Sequence, residues 1–423
     1  MIEMKDSGIE WIGDIPAHWD VKRIKDIAYL GSGTTPKSSN EKYYDGTHPW
    51  LITGDVQNRL IERNENFITD LALADIPNLK LYPAKTVLLA MYGGGTIGNV
   101  GLMTYPAYIN QACCAMIPKS GIYEKYLFYY LRTKYSRIIS TGVGGTQINL
   151  SQNKIAAYPI AVPPFKEQQT IADYLDKKTA EIDKQITALE KKSDAYQRLK
   201  RSLISEVVTR GLNPTAELKD SGIEWIGEIP EHWEIDRVKS FAKTIKGKSC
   251  DYLSDPTTDC YQVLSVESLR QDECQFYDYV KVDDDSQICS PDDIVVIWDG
   301  AGVGEFLRAK NGALSSTIAK VKFTSKKVLP KYFWYWRYKI EYRLKSIPTG
   351  MGIPHLNPNL LNNYKIAIPP LVEQQAIADY LDKKTAEIDS NISAISSKID
   401  AYKRLKQSLI DEVVTGKRRI EKA

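Results

Sequence analysis

Two stretches of this 423-residue chain carry apolar side chains at a strict interval of seven residues. Each stretch follows a proline pair, Pro163-Pro164 or Pro369-Pro370, and lacks glycine and proline from about residue 166 to 209 and from about 372 to 415. This interval is typical of a coiled-coil seam, along which one helix packs on another. The predicted seam residues are Leu175, Ile182, Leu189, Tyr196 and Leu203 in the first stretch, and Leu381, Ile388, Ile395, Tyr402 and Leu409 in the second.

The length of these stretches predicts what they pack against. A helix of roughly 40 residues is about 60 Å long, whereas a domain of about 160 residues is only roughly 40 Å across. We therefore expect the two helices to pair with each other, rather than each to lie along its own domain. Antiparallel pairing is favoured because the intervening domain can turn the chain around and duplicated units commonly meet across a pseudo-twofold axis; parallel pairing remains open. A second apolar row is expected to widen the stripe, at Ile186, Leu199, Val207, Ile392, Ile399, Leu405 and Val413.

Identical segments recur in the two halves of the chain. Lys5 to Gly13 returns letter for letter at Lys219 to Gly227, and Ile171 to Asp183 returns at Ile377 to Asp389. The sequences between these segments are almost unrelated, so we expect two domains with a common frame and different content.

Both intervening regions combine short apolar runs with glycine-rich turns and one aromatic helical stretch, which is typical of α+β domains. The predicted fold is α+β, with two pseudo-symmetric globular domains joined by two long helices that form an antiparallel intramolecular coiled coil. The predicted boundaries are residues 1–160 for the first domain, 161–212 for a central helical spacer, 213–366 for the second domain, and 367–423 for a C-terminal helical spacer with a basic tail.

Composition says little about which functional class of protein this is. Hydrophobic residues make up 43% and charged residues 26% of the chain, as in soluble globular proteins, and the net charge of +3 neither indicates nor excludes nucleic acid. The apolar runs are far shorter than the 18 or more residues of a membrane helix, so we expect a cytoplasmic protein without a membrane segment. Six cysteines without a C-x-x-C pair and four scattered histidines predict no metal site, and we expect incidental thiols in a reducing compartment.

Three patterns resemble enzymatic or phosphate-binding motifs but lack a required part. Gly93 to Gly98 fits G-x-G-x-x-G, yet the glycine- and proline-rich residues after it predict a tight loop instead of the required helix. Lys246 to Ser249 ends like a P-loop but lacks its first glycine, and the proline in Gly31 to Lys37 removes an amide donor. No methylase, nuclease or catalytic-triad motif is present, so we expect the chain to catalyse nothing by itself. For His18 and His232 we expect a capping or packing role.

Aromatic and basic residues concentrate near the end of each intervening region. The two stretches are Tyr123 to Arg137 and Lys331 to Lys345. We expect most of their rings to pack in the domain cores and their basic residues to be available to phosphates.

The motifs that bound each half resemble those of a known family. Asp-Ser-Gly-Ile-Glu-Trp-Ile-Gly-x-Ile-Pro-x-His-Trp opens each half, and Pro-Pro-x-x-Glu-Gln-Gln-x-Ile-Ala-x-Tyr-Leu-Asp begins at Pro163 and Pro369. Over its whole length, the chain resembles the specificity subunit of a type I restriction-modification system. Further supporting segments are Gly33 to Pro36, Pro49 to Asp55, Tyr92 to Gly98 and Trp298 to Gly304.

This resemblance implies a DNA-recognition role. Each domain, called a target recognition domain, would read one half of a bipartite, asymmetric target in double-stranded DNA, and the paired helices would set the spacing between the halves. Two methyltransferase subunits carrying S-adenosylmethionine would dock on the helices, and restriction subunits that use ATP and Mg²⁺ would join them. None of these cofactors is expected to bind this chain.

Polar residues on loops bounded by glycine are the candidate DNA contacts, because amide and basic side chains bond base edges and phosphates. They are Thr34, Lys37, Tyr92, Thr96, Thr146, Gln147 and Asn149 in the first domain, and Lys248, Ser315, Ser316, Thr317 and His355 in the second. Of these, Lys37 and Lys248 are expected to hold phosphates.

Two rival functions are weighed against this one. A protein-binding adaptor with a coiled coil would explain the helices but leave two large, divergent domains without a purpose. An autonomous methylase or nuclease would need cofactor or metal motifs that the sequence lacks. Salt-dependent DNA binding would favour DNA recognition over the adaptor function. Tight binding of S-adenosylmethionine by this chain would favour an autonomous methylase.

Overall fold

The structure of the chain is a computed structural model that describes residues 3–93, 95–133, 138, 149–249, 253, 260–271, 278–282, 284–346 and 354–420. The chain divides into two compact units, unit 1 (Met1–Leu189 with Ser397–Ala423) and unit 2 (Glu190–Ser396). Each unit therefore combines a globular part with segments of both long helices.

Unit 1 begins with the globular part that precedes the first long helix. Its strands are β1 (Met4–Asp6), β2 (Asp14–Pro16), β3 (Asp20–Arg23), β4 (Ala28–Ser32), β5 (Tyr44–Leu51), β6 (Arg59–Ile61), β7 (Phe67–Ile68), β8 (Val87–Ala90), β9 (Val100–Met103), β10 (Tyr108–Ile109), β11 (Cys113–Pro118) and β12 (Pro159–Val162). Its helices are α1 (Ile24–Ile27), α2 (Asp70–Asp75), α3 (Glu124–Thr133) and α4 (Gln152–Ala157), followed by the long helix α5 (Phe165–Arg210), which continues into unit 2.

Unit 2 has a similar succession of elements, but its short helices lie at partly different places. Its strands are β13 (Leu218–Asp220), β14 (Glu228–Pro230), β15 (Glu234–Arg237), β16 (Ala242–Lys246), β17 (Cys260–Leu264), β18 (Tyr279–Lys281), β19 (Ile288–Cys289), β20 (Ile294–Ile297), β21 (Phe306–Arg308), β22 (Gly312–Leu314), β23 (Ile318–Phe323) and β24 (Lys365–Ile368). Its helices are α6 (Val266–Arg270), α7 (Pro330–Ser346) and α8 (Pro358–Asn362), followed by the long helix α9 (Leu371–Val414), which continues into unit 1.

The two units share a sheet topology although their sequences differ. The main sheet has the order β4-β11-β8-β9-β6 in unit 1 and β16-β23-β20-β21 in unit 2, and the first four strands of each are antiparallel neighbours. A second sheet in each unit contains a parallel pair, β5 with β10 or β17 with β22. The central strands β8 and β20 are buried along their whole length, which their uninterrupted apolar runs predict.

The aromatic helices α3 and α7 fill the cores, as predicted for most of their rings. In unit 1 the buried rings include Tyr126 and Tyr130, and in unit 2 they include Tyr332, Phe333 and Trp336. These large side chains lie against the main sheet and the long helices, so the aromatic stretches serve mainly to build the domains.

A glutamate in the first turn of each long helix is held by the Ile-Pro-x-His-Trp motif. In unit 1, His18 Nε2 lies 2.8 Å from Glu167 Oε2, and Trp19 Nε1 donates to Glu167 Oε1 at 3.1 Å. In unit 2, His232 and the tryptophan after it make the same contacts with Glu373, at 2.7 and 3.0 Å. Both histidines are exposed, so each contacts its long helix through a hydrogen bond to the glutamate and not by packing in the core.

The next residue of the repeated motif is a buried glutamine that bonds the backbone of its own unit. Gln168 Oε1 accepts a hydrogen bond from the Tyr123 amide at 2.8 Å, and its Nε2 donates to the carbonyl oxygens of Gly121 at 3.0 Å and Pro163 at 2.9 Å. Gln374 makes the equivalent three bonds in unit 2, at 2.8, 2.9 and 2.8 Å. Because an unpaired buried amide or carbonyl group is costly, these bonds explain why a glutamine recurs at this position of both halves.

Within unit 1, the first part of α5 and the last part of α9 pack as an antiparallel pair. Ile171, near the start of α5, and Val413, near the end of α9, line the same cavity. Further along α5, both carboxylate oxygens of Asp183 accept from Lys406 Nζ at 2.6 Å, and Lys406 lies further back along α9. The antiparallel direction favoured from the sequence is therefore confirmed.

Unit 2 contains the equivalent helix pair with the roles of α5 and α9 exchanged. Lys200 Nζ of α5 donates to the carboxylate of Asp389 of α9 at 2.7 and 2.6 Å. Tyr332 of α7 joins the end of α5 to β24, because its hydroxyl donates to the carbonyl oxygens of Val208 at 3.2 Å and Ala367 at 2.9 Å. The pseudo-symmetry predicted from the repeats thus extends to individual hydrogen bonds.

The described seam residues lie on the covered side of the long helices. Leu175, Ile182, Leu381, Ile388, Ile395 and Leu409 are buried, and Leu189, Tyr196, Leu203 and Tyr402 are half-buried. The predicted second apolar row was wrong at two positions, since Leu199 is 53% exposed and Leu405 is 51% exposed. A seam of two helices buries only a narrow face of each, and these leucines lie outside it.

Candidate nucleic-acid interface

The end of β4, the end of β8 and the start of β11 meet at one edge of the main sheet of unit 1. Gly33 follows β4 directly and packs against the segment before β11: a Cβ at Gly33 would lie 1.8 Å from the carbonyl oxygen of Ile109. The Thr34 amide donates to that same oxygen at 3.0 Å. Trp50 donates its Nε1 hydrogen to the Thr34 carbonyl oxygen at 3.2 Å. These contacts therefore hold the turn at Gly33 in place at the sheet edge. Gly31 was predicted to belong to this turn, but it lies within β4.

The loop after β8 lies at the same edge. Gly93, Gly95 and Gly98 all have positive φ, at 117°, 81° and 76°, and the loop returns as strand β9. The predicted tight loop is confirmed. Burial raises the pKa of Tyr92, helped by the nearby Cys113, and the Thr96 hydroxyl lies 3.5 Å from the Gly93 carbonyl oxygen.

Asn149 joins this loop through the chain that precedes α4. The Leu150 amide donates to the Met91 carbonyl oxygen at 2.9 Å, so the exposed Asn149 lies next to the end of β8. Four predicted residues, Thr34, Tyr92, Thr96 and Asn149, thus come from the segments that form this edge. Thr146 and Gln147 lie outside the described residues.

The equivalent edge of unit 2 is formed by the ends of β16 and β20 and the start of β23. A Cβ at Gly247, which follows β16, would lie 2.1 Å from the Ser315 carbonyl oxygen. The amides of Trp298 and Asp299, directly after β20, donate to the Thr317 carbonyl oxygen at 2.8 and 3.2 Å. The backbone arrangement of unit 1 recurs here with different side chains.

A carboxylate at the centre of this second edge holds two basic side chains. Asp299 Oδ1 lies 2.6 Å from His355 Nδ1, and Asp299 Oδ2 lies 2.7 Å from Lys246 Nζ. Burial by itself raises the pKa of Asp299, but hydrogen bonds from His355 and Lys246 outweigh it and hold this pKa below its ordinary value. Lys246 also lies 5.9 Å from the centre of the Trp298 ring.

The predicted residues of unit 2 differ in exposure. Lys248, Thr317 and His355 are exposed, Ser316 is half-buried, and Ser315 is buried at 7% exposure with its hydroxyl 3.0 Å from that of Thr317. In unit 1, Lys37 and Asn149 are exposed, whereas Thr34, Tyr92 and Thr96 are half-buried.

Sequence reasoning missed Asp299 and Lys246. A usable signal was present for Asp299, because it follows an apolar strand run as Tyr92 does in the first half. From the sequence, Lys246 was considered only as part of the incomplete P-loop pattern. In the structure it is the last residue of β16, and no helix follows it directly, as a P-loop would require. Sequence alone does not bring residues 246, 299 and 355 together.

The described residues form no cluster of metal-binding side chains, and two of the buried cysteines have raised thiol pKa values. No group of three or more histidine, cysteine, aspartate or glutamate side chains with metal-binding geometry occurs among the described residues. Burial raises the pKa of the Cys114 thiol to about 12 and that of Cys289 to about 11, so both stay protonated at neutral pH. Among the described residues, no helix is sufficiently long and apolar to span a membrane.

Comparisons with known proteins agree with this architecture. A sequence profile described as "Type I restriction modification DNA specificity domain" matches residues 16–191 and 230–400. The chain is 26% identical to the type I restriction enzyme MjaIX specificity subunit of Methanocaldococcus jannaschii, over 97% of this chain and 96% of that protein. It is 34% identical to the MjaVIII specificity subunit of the same organism over 188 residues, which span 44% of this chain and 43% of that relative.

Solved structures show the same fold. A chain from a study of complex assembly and conformational transition of the type I R-M system has a TM-score of 0.72 at 15% identity, covering 95% of this chain and 98% of that one. The HsdS subunit from Thermoanaerobacter tengcongensis has a TM-score of 0.51 at 16% identity, covering 96% and 98%.

Proposed function

Because the chain belongs to the family of type I restriction-modification specificity subunits and carries two copies of the DNA specificity domain, we propose that each copy reads its own half of a bipartite, asymmetric target in double-stranded DNA. The observation that carries this proposal is the pair of equivalent sheet edges. Their backbones are held in the same way, yet their exposed side chains differ, as two different half-sites require.

We propose residues 1–160 and 213–366 as the two target recognition domains, and residues 161–212 and 367–423 as the helical spacers. The spacers would act as a ruler between the half-sites. A second domain tethered by a stiff spacer meets its half-site at a high effective concentration, so two short half-sites are recognised together as one longer target.

In the first domain, the proposed base-reading groups are Thr34, Tyr92, Thr96 and Asn149, together with Thr146 and Gln147. Thr34 and Asn149 lie on segments that backbone hydrogen bonds hold at the sheet edge. The exposed Lys37 is assigned to phosphate, where a flexible ammonium group suffices.

In the second domain, the proposed contacts are Lys248, Ser316, Thr317 and His355. Asp299 positions His355, and the buried Ser315 positions Thr317 through its hydroxyl. Lys248 is assigned to phosphate. Each bidentate base contact in such an edge contributes about 1 to 3 kcal/mol of discrimination against a wrong base.

We propose that the chain catalyses nothing by itself and works in the cytoplasm with partner subunits. Two methyltransferase subunits carrying S-adenosylmethionine would dock on the helices, and restriction subunits using ATP and Mg²⁺ would join them. The exposed Leu199 and Leu405 support this docking, because they occupy equivalent positions of the two repeats and face away from the helix seam.

Selection from a library with two randomised half-sites and a random gap tests the function. We expect a bipartite target and an affinity that falls as salt rises, since phosphate contacts release counterions. The adaptor alternative predicts no salt-dependent DNA binding, and such a result would overturn the proposal.

A further inference from the structure

A cavity of about 530 Å³ lies within unit 2, and none of its lining residues belongs to the sheet edge described above. It is bounded by α5, by the second copy of the repeated opening segment, by α7 and by the chain just before β24. Its size is that of a small-molecule site, which typically measures about 300 to 1,000 Å³.

Aromatic rings form a large part of the cavity wall. Trp225 is 43% exposed and Tyr342 is 81% exposed, whereas Tyr364 behind them is buried. The rings of Trp225 and Tyr364 lie 5.6 Å apart with a tilt of 41°. Tyr342 belongs to α7 and Trp225 to the turn before β14. Two exposed rings that line one cavity favour contact with a flat apolar group.

Positive charge is in excess around these rings. Arg201 of α5 and Arg343 of α7 line the cavity and are exposed, and Lys339 donates to the Trp225 carbonyl oxygen at 2.9 Å. Burial lowers the pKa of Lys339. Glu224 is the carboxylate in the lining, so cationic side chains outnumber acidic ones. Guanidinium groups suit phosphate because they present paired N–H donors.

The corresponding positions of the first repeat preserve this chemistry only in part. Trp225 matches Trp11, but Arg201 matches Gln407 and the cavity residue Ser205 matches Asp411. When α7 is aligned on α3, Lys339 matches Thr133, whereas Arg343 matches Arg137 in sequence. The first repeat therefore keeps the tryptophan and one of the two arginines, and the pair Arg201 with Arg343 occurs in the second repeat. Because the proposed phosphate contact needs both arginines, we expect one ligand per chain.

We propose that this cavity binds one nucleoside monophosphate, with its base against Trp225 and Tyr342 and its phosphate between Arg201 and Arg343. A flat heterocycle and a dianion joined by a sugar match the combination of exposed rings and guanidinium groups. Stacking of a base on an aromatic side chain and charge-assisted bonds to phosphate each favour binding. This site is separate from the proposed DNA edge, and it does not depend on the DNA proposal.

Equilibrium dialysis of the full chain with adenosine monophosphate, adenosine and inorganic phosphate tests the proposal. We expect one molecule of adenosine monophosphate per chain and at least tenfold weaker binding of adenosine or phosphate alone. Arg201→Gln copies the residue of the first repeat, and we expect it to weaken nucleotide binding about 10- to 100-fold, as loss of a charged hydrogen bond does. Tyr342→Ala should weaken it similarly, since this exposed ring carries little of the core.

The matched control is Arg198→Gln, which removes an exposed arginine of the same helix that does not line the cavity. It should leave nucleotide binding unchanged, and all three variants should keep the DNA affinity of the parent chain. Absence of binding at millimolar nucleotide, two equivalent sites per chain, or equal losses in Arg198→Gln and Arg201→Gln would overturn the proposal. So would binding of a short single-stranded oligonucleotide without binding of the free nucleotide.

Discussion

Replacement of the buried glutamine of the closing motif is expected to loosen one unit while sparing the other. In unit 1, Gln168→Leu keeps a side chain of similar volume but leaves the Tyr123 amide and the carbonyl oxygens of Gly121 and Pro163 without their partner. The bond to Pro163 is buried, whereas water can partly replace the other two, which are only part-buried. Since a buried polar group left unpaired costs about 1 to 3 kcal/mol, the unfolding free energy of unit 1 should fall by about 2 to 4 kcal/mol. Gln374→Leu should do the same to unit 2, where the same three bonds occur.

Native-state hydrogen exchange followed by mass spectrometry measures this loss segment by segment, which suits a chain of two units better than a single melting curve. Gln168→Leu should lower protection in unit 1 and reduce discrimination at one half-site, and Gln374→Leu should do so in unit 2 and at the other half-site. The control is Gln375→Leu, because this neighbouring glutamine is exposed and its side chain donates to Asp379 on the next turn. The cost of this change should stay within about 0.5 kcal/mol. The reasoning is refuted if Gln168→Leu costs less than about 1 kcal/mol, or if the exposed control costs as much.

Five further changes have defined outcomes. Gly33→Ala and Gly247→Ala place a Cβ 1.8 and 2.1 Å from backbone carbonyl oxygens, so each should cost about 1 to 3 kcal/mol and weaken selection at a different half-site in a randomised library. Lys37→Ala should weaken binding to all sequences alike and reduce the slope of log affinity against log salt by about 1. The pKa of Asp299 lies below its ordinary value. Its ionised carboxylate therefore stabilises unit 2 fully when the pH is above that ordinary pKa, and this stabilisation is lost as the pH falls through the lowered pKa of the folded state. Asp299→Asn should remove this acid-range pH dependence from the urea unfolding of unit 2. Insertion of one helical turn at the junction from Gly211 to Leu218 should widen the selected gap by about 1 to 2 base pairs without changing either half-site, and an unchanged gap would reject the ruler.

Local patterns predicted the long helices closely. The sequence indicated helices from about residue 166 to 209 and from about 372 to 415, and the structure has Phe165–Arg210 and Leu371–Val414. The reason is physical: each helix begins after a proline pair and ends before a glycine, Gly211 or Gly416, with a φ of +74° or +73° that glycine adopts readily. These signals lie within a few residues of the feature they determine.

The candidate site was predictable only in part. Glycine-bounded loops led to Thr34, Tyr92 and Thr96, because a polar residue directly after an apolar strand run lies at a sheet edge. The pairing of Asp299 with His355 and Lys246 was not visible, since those residues are 56 and 53 positions away and no local pattern brings them together.

The sequence by itself determined the duplication, the length and apolar face of the two helices, and the presence of two unlike domains within one frame. The antiparallel direction of the helix pairs, the exposure of Leu199 and Leu405, and the cationic aromatic cavity of unit 2 were decided only by the tertiary structure. A seven-residue period states which face of a helix is covered, whereas the identity and direction of its partner depend on contacts such as Asp183 with Lys406, 223 residues apart. Such contacts follow from how the intervening domain folds, which no short segment encodes.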